Sequence, residues 1–450
     1  MPSCTTCRSA PTSMTTKEEQ KMAVQKLQWQ PTESAELRDE VLQKVRFAAE
    51  RLKDADPNAN PNTFLGSGAA GLCLLFGQLD RLFPEAGWDL VGHQQLVTIQ
   101  QRLQTQGAPN LSLWSGLGGI LLAVKALSRD GQRYQTMIGS LLRSLVGSLR
   151  EQLPDKRAGI ANDLVMIDYD TIGGMAGVGR VLLAFADREE VQAALADVLH
   201  YLIELCGEKE AHGMLVPAWH IHCHNHYRDD EKESFPKGSF NLGLSHGISG
   251  PMALMSLALL QGIEVPGQRE AIRRTADFVQ GFQVTHDGEP LWPGRVSFDN
   301  WREGVAPTVG VRDSWCYGAP GIGRAVWLAG AALGDDSLQE AGAAAYRGIA
   351  KREDSKHSMD APTICHGWGG LMHLVQRMQA DTGQPELAVC RDDLARLVLS
   401  TFSEAHPFGF DDSKPVTDPG LLEGAAGVAL TLLSLVTDEA PDWDAVLMIS

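Results

Sequence analysis

The sequence predicts an all-α fold, an α/α toroid in which seven helical hairpins close into a double-layered barrel. The first observation is a Gly-x-x-Gly step followed by an apolar run. It occurs seven times, at Gly68/Gly71, Gly116/Gly119, Gly174/Gly177, Gly247/Gly250, Gly318/Gly321, Gly367/Gly370 and Gly424/Gly427. The second is that the runs after these steps, such as GILLAVKAL, GPMALMSLALLQ and GVALTLLSLV, are apolar nearly all round, as helices packed on every side must be. The third is that the segments between them, such as TMIGSLLRSLVGSLREQL and REAIRRTADFVQGF, carry charge on one face only. Inner and outer helices therefore alternate. A repeated unit that cannot bury its own apolar face stacks on its neighbours, and seven of them can close a ring. The glycines let the chain turn sharply, with φ > 0 where needed, and let inner helices start close together at one end of the barrel.

Taken in order, the chain opens with residues 1–33, polar and Ser/Thr-rich with Pro2, Pro11 and Pro31, which read as a flexible extension. Residues 34–450 read as one toroid domain. Cys4 and Cys7 form a CxxC pair, a weak signal in such a terminus. From Leu37 an amphipathic helix begins, LRDEVLQKVRFAAERL, and the first glycine step follows it. The third-to-fourth and fourth-to-fifth intervals are the longest and must hold insertions. One is AWHIHCHNHYRDDEKESFPKGSFNLG, polar and turn-rich, expected as a loop over one mouth of the barrel. His220, His222, His224 and His226 with Cys223 are metal-binding residue types, but alternation in a hydrophilic loop does not converge ligands. Peptide contact is the reading carried forward.

Composition narrows the function. A net charge of -17 with no basic run argues against a nucleic-acid partner, because phosphate binding needs clustered Lys and Arg. No run approaches the roughly 20 apolar residues of a membrane span, and the first residues lack the apolar centre of a secretory signal. Eight scattered cysteines do not make a disulfide framework, so reduced thiols are expected. These features predict a soluble, cytoplasmic protein.

The glycine steps also bring chemistry into phase. Cys316 and Cys365 each stand two residues before the first glycine of a step, His246, Tyr317 and His366 stand one before, and Asp170 stands four before. They should share one rim, with the functional types concentrated in the third to sixth repeats. Cys316, Cys365 and His366 make a zinc site with a fourth position open, the arrangement of a catalytic rather than a structural ion. Such an ion would hold an incoming substrate thiol as its thiolate. A water in that position would instead serve a hydrolase, although thiolate ligands weaken the Lewis acidity that carbonyl activation needs.

The blocks NLGLSHGISGP, RDSWCYGAPGIG and ICHGWGGL, in that order and within seven such hairpins, resemble the lanthionine synthetase C family of lanthipeptide cyclases. The resemblance implies zinc on Cys316, Cys365 and His366, an acid/base histidine at His246, and further catalytic groups at Asp170, Arg312 and Tyr317. Arg312 and Tyr317 would stabilise developing negative charge or orient Asp170. It also implies a dehydrated precursor peptide as substrate, dehydratase and transporter partners, and a place at the membrane surface within a biosynthetic complex. The implied reaction is intramolecular Michael addition of peptide cysteines to dehydroalanine or dehydrobutyrine, which forms lanthionine and methyllanthionine. Two other readings use the same residues: addition of free glutathione to dehydroamino acids, and a non-catalytic zinc scaffold, which a fully occupied four-ligand ion would favour.

Overall fold

The computed structural model describes residues 29–450 except 56–61, 108, 162–163, 354–356, 360 and 411–417. Cys4 and Cys7 lie outside the described residues. Seven inner helices follow the seven glycine steps: α2 (Ala69–Leu82), α4 (Leu117–Ala126), α6 (Met175–Leu183), α9 (Ser249–Leu260), α12 (Ala319–Leu333), α14 (Trp368–Thr382) and α16 (Ala425–Ser434). The outer layer is α1 (Ala35–Lys53), α3 (Trp88–Gln106), α5 (Gln135–Gly159), α7 (Glu189–Leu205), α10 (Gln268–Gly281), α13 (Asp336–Ile349) and α15 (Pro385–Ser400). Each inner helix packs on the next, and α16 packs on α2, so the ring is closed. The outer partner of α16 is α1, from the opposite end of the chain.

The two layers have the burial their sequences require. In α9 every residue from Ser249 to Leu259 is buried, whereas α10 buries a stripe of Ala271, Ile272, Thr275, Ala276 and Val279. Helix boundaries follow local chemistry: the Ser34 hydroxyl caps α1 at the Leu37 amide (3.2 Å), Asp335 caps α13, and Pro385 opens α15. Left-handed Gly334 and Gly383 end α12 and α14.

At the N-terminal rim of the inner helices, backbone hydrogen bonds run from repeat to repeat around the whole ring. Amides of Leu65, Trp114, Thr171, Leu244, Cys316, Cys365 and Leu422 donate to carbonyls of Trp114, Ile172, Ser245, Cys316, Cys365, Leu422 and Gly66, at 2.9 to 3.3 Å. Close approach, more than unusual backbone angles, is what fixes the second glycine of each step. A Cβ on Gly119 would sit 2.7 Å from the Leu65 Cβ of the preceding repeat. Among the fourteen repeat glycines only Gly318 has a positive φ, 117°.

The N-terminal boundary differs from the sequence expectation of a flexible segment through residue 33. Trp29 is buried and its indole donates to the Ser434 carbonyl (3.2 Å), while Thr32 bonds Leu435 and Asp392. A single anchoring tryptophan among polar residues carries no periodicity, so sequence pattern does not reveal it. At the other end, Trp443–Leu447 with Met448 and Ile449 are buried against the inner helices, with the Trp315 indole on the Leu447 carbonyl (2.8 Å) and Arg324 on that of Ile449 (2.7 Å).

The two long intervals carry β1 (Glu208–Ala211), β2 (Met214–Pro217), α8 (Asp229–Ser234), β3 (Ser239–Asn241), β4 (Val284–His286), β5 (Glu289–Leu291), β6 (Arg295–Ser297) and α11 (Phe298–Glu303). Strand β3 from the first pairs antiparallel with β6 from the second, Asn241 opposite Arg295. The expected polar loop is thus partly a packed layer: Trp219, His220, Ile221 and His226 are buried, with Trp219 and Phe240 edge-on at 6.5 Å.

Candidate active site

The rim hydrogen bonds place the thiol-bearing residues. Cys316 and Cys365 occupy equivalent positions in adjacent repeats, and the amide of Cys316 donates to the carbonyl of Cys365 (3.3 Å). The neighbouring Cys365 thiol pulls the Cys316 thiol below the ordinary thiol range against the effect of burial, Ser314 and Arg312 adding to it, while Cys365 is pushed up. His366 follows Cys365 directly, but its ring turns to Glu423, Nε2 lying 3.2 Å from Oε1. Ligand atoms of Cys365, His366 and Glu423 lie within 4.8 Å of one another, the one such group of three among the described residues.

His246 and Asp170 form the second feature. Nδ1 of His246 lies 2.6 Å from Oδ2 of Asp170, and Oδ1 of Asp170 accepts from the amides of Gly173 (2.7 Å) and Gly174 (2.9 Å) at the start of α6. The carboxylate is buried and fully engaged, while the His246 side chain is 41% exposed. With Nδ1 against the carboxylate, Nε2 is the ring nitrogen left for reactants.

Arg312 does not orient Asp170 as the resemblance allowed. Its guanidinium bonds the Ser314 hydroxyl (3.2 Å), approaches the Cys316 sulfur (3.8 Å) and lies over the Tyr317 ring at 5.4 Å. The reason is local: Arg312 precedes Cys316 by four residues in the same rim segment, whereas Asp170 is saturated by its own helix terminus and His246. Tyr317 is packed between Gly243 and Gly294, and its hydroxyl accepts from Asn241 Nδ2 (2.8 Å). Burial pushes the phenol up, with Asn241 and Arg295 opposing.

A cavity of about 1190 Å³ opens over Asp170, His246, Arg312 and Tyr317, while Cys316, Cys365 and His366 are not among its lining residues. Asp170, His246, Arg312 and Tyr317 line one side, and Ile167, Tyr227, Phe235 and Trp292 line the others. The two inserted segments supply much of this wall. Arg312 spans from the cavity to the Cys316 thiol.

Sequence reasoning missed Glu423, placed in the seventh repeat and so outside the third to sixth. The signal was available, since Glu423 stands one residue before its first glycine, as His246, Tyr317 and His366 do. It also missed Asn241 and Arg295, whose roles depend on pairing two distant insertions. The His220–His226 segment divides. His220 meets the Lys237 carbonyl (3.0 Å), His226 meets Ser239 (3.3 Å), and His222 stacks on His224 at 5.6 Å.

A description of one protein family, "Lanthionine synthetase C-like protein", matches residues 61–448. The chain belongs to this family. Among relatives of the lanthionine synthetase C-like chain is "Nisin biosynthesis protein NisC" of Lactococcus lactis subsp. lactis, 26% identical over 312 residues. That alignment covers 69% of this chain and 72% of the relative. The solved structure "Nisin cyclase" superposes with a TM-score of 0.76 at 22% identity, covering 92% of this chain and 98% of that one. At that identity the likeness is one of fold, and the α/α toroid is shared.

Proposed function

We propose that this protein is a zinc-dependent lanthipeptide cyclase. It closes thioether rings by adding cysteine thiols of a dehydrated precursor peptide to dehydroalanine or dehydrobutyrine residues of the same peptide. The observation that carries this reading is the convergence at one rim of a paired thiol site and a carboxylate-oriented histidine facing a cavity large enough for a peptide segment. Family membership supports it.

Thiolates and an imidazole are donor types that zinc takes, and two cysteines at equivalent positions of adjacent repeats, one of them followed directly by a histidine, offer that donor set. Cys316, Cys365 and His366 would hold it, and bound zinc would keep a substrate thiol ionised at neutral pH. The chain's own residues carry the rest. His246 takes the thiol proton on Nε2, and Asp170 holds the resulting imidazolium by its Nδ1–H. A carbon–sulfur bond forms at the β-carbon of the dehydro residue while its double-bond electrons move onto the neighbouring carbonyl as an enolate. Arg312 stabilises that charge, Tyr317 supports the guanidinium from beneath, and His246 returns its proton to the α-carbon. Nothing is gained or lost in the sum, so the peptide's mass is unchanged.

In this reading a dehydratase acts before the protein, because dehydro residues must already be present, and an exporter acts after it. No helix among the described residues is long and apolar enough to cross a membrane. We place the protein in the cytoplasm, with any membrane association arising through partners. Tandem mass spectrometry of a dehydrated, cysteine-bearing peptide after incubation tests the proposal. Backbone fragmentation should disappear between linked residues, and fragmentation throughout the sequence would refute ring formation.

A further inference from the structure

Glu423 is the group near the thiols for which the reaction above gives no task. In the seventh repeat it holds the position that His366 holds in the sixth, one residue ahead of the first glycine. The rim bond from the Cys365 amide to the Leu422 carbonyl (3.1 Å) sets these two repeats side by side. Their side chains emerge together, and Glu423 Oε1 meets His366 Nε2 at 3.2 Å. The contact therefore follows from the register of the ring.

An imidazole that binds a metal does so through a nitrogen without a proton, and the other nitrogen keeps its hydrogen. A carboxylate on Nε2 draws that hydrogen to Nε2 and leaves the lone pair on Nδ1. Carboxylate partners of this kind orient ligating histidines and raise their basicity, and removing them typically weakens metal binding about 10- to 100-fold. Direct ligation by Glu423 is the competing role. It is disfavoured because a fourth protein ligand would close the position that a reacting thiol needs. The observed contact is also with the ring nitrogen, and the Glu423 side chain is 57% exposed.

We propose that Glu423 is a positioning residue of the metal centre, holding His366 in the tautomer and rotamer that present Nδ1 to zinc. The inference rests on the zinc reading and adds to it a residue outside the thiol and imidazole set.

The test is zinc binding by the full chain against a competing chelator, with nitrogen-15 imidazole NMR of the zinc-loaded protein and absorption of the cobalt-loaded protein. Glu423→Ala should bind zinc about 10- to 100-fold more weakly. Glu423→Gln keeps an oxygen that can accept from Nε2–H and should recover most of that loss, with the cobalt spectrum of wild type. His366 should show zinc on Nδ1 and the proton on Nε2. Equal zinc affinity in wild type and Glu423→Ala overturns the proposal. So does a Gln variant as weak as the Ala variant with a changed cobalt spectrum, which would make Glu423 a ligand. A wild-type protein that takes up no zinc would overturn the zinc reading itself, and that result is read before any variant is compared. Helical circular dichroism of both variants separates these outcomes from misfolding.

Discussion

His246 and Asp170 meet across two repeats because both side chains are fixed by the phase of their glycine steps, and Asp170 spends its second oxygen on the start of α6. Substituting His246→Asn should leave zinc content unchanged and slow ring closure by about 100- to 10,000-fold, the range for loss of a positioned acid/base group. Metal analysis and the rate at saturating peptide check the two halves. Lost zinc would make His246 a ligand, and an unchanged rate would make it structural. These residues were legible in the sequence because the repeat gave each a position relative to a glycine. Arg312 illustrates the limit. The family resemblance brought it to the site, but its partners, Ser314 and Cys316, follow from the local path of the rim segment. Asn241 and Arg295 were beyond reach for a different reason, since no periodic signal links two strands contributed by separate insertions.

The inner helices start so close together that the glycines opening them act as spacers of zero size. A methyl group on Gly119 would meet the Leu65 Cβ at 2.7 Å as well as the Leu113 backbone, so Gly119→Ala should destabilise by about 1 to 3 kcal/mol through overpacking. Gly147, exposed within α5 with nothing within 4 Å of an added Cβ, gives the contrast: Gly147→Ala should stabilise by roughly 0.5 to 1 kcal/mol through helix propensity. Denaturant titrations of both variants check the opposite signs. Inner and outer helices could be told apart in advance because all-round and one-sided apolar patterns have different physical requirements. The insertions could be placed by their length but not resolved, since short strands such as Ser239–Asn241 offer too few residues to show alternation.

Ring closure involves both ends of the described chain, and this was the least legible feature. Pattern identifies a helix from Leu37 but not that it would pair with α16, and nothing marks the residues after Asp442 as barrel filling. There Asp444 contacts His373 (2.9 Å) and Arg377 (3.0 Å). Burial holds the His373 imidazole below its ordinary range. Although burial also opposes ionisation of Asp444, Arg377 and His373 hold its carboxyl well below the usual range. Both groups thus bind fewer protons folded than unfolded, so stability should fall as pH drops, first below about 6.5 and again below about 3.9. Because Asp335 and Asp89 are also held below the carboxylate range, unfolding midpoints across pH should show a lower step that is smaller in Asp444→Asn than in wild type. Because the ring is closed by helix contacts and backbone bonds, Cys316→Ala with Cys365→Ala should lose zinc yet keep its helical circular dichroism. The central claim, that the toroid joins thiols to dehydro residues within one peptide, is tested most directly by titrating free thiols. Zinc-loaded protein is incubated with a dehydrated cysteine-bearing peptide, and peptide mass is followed in parallel. The account predicts loss of thiols at constant mass. Thiols that persist, or a mass that rises by glutathione when glutathione is supplied, would contradict it.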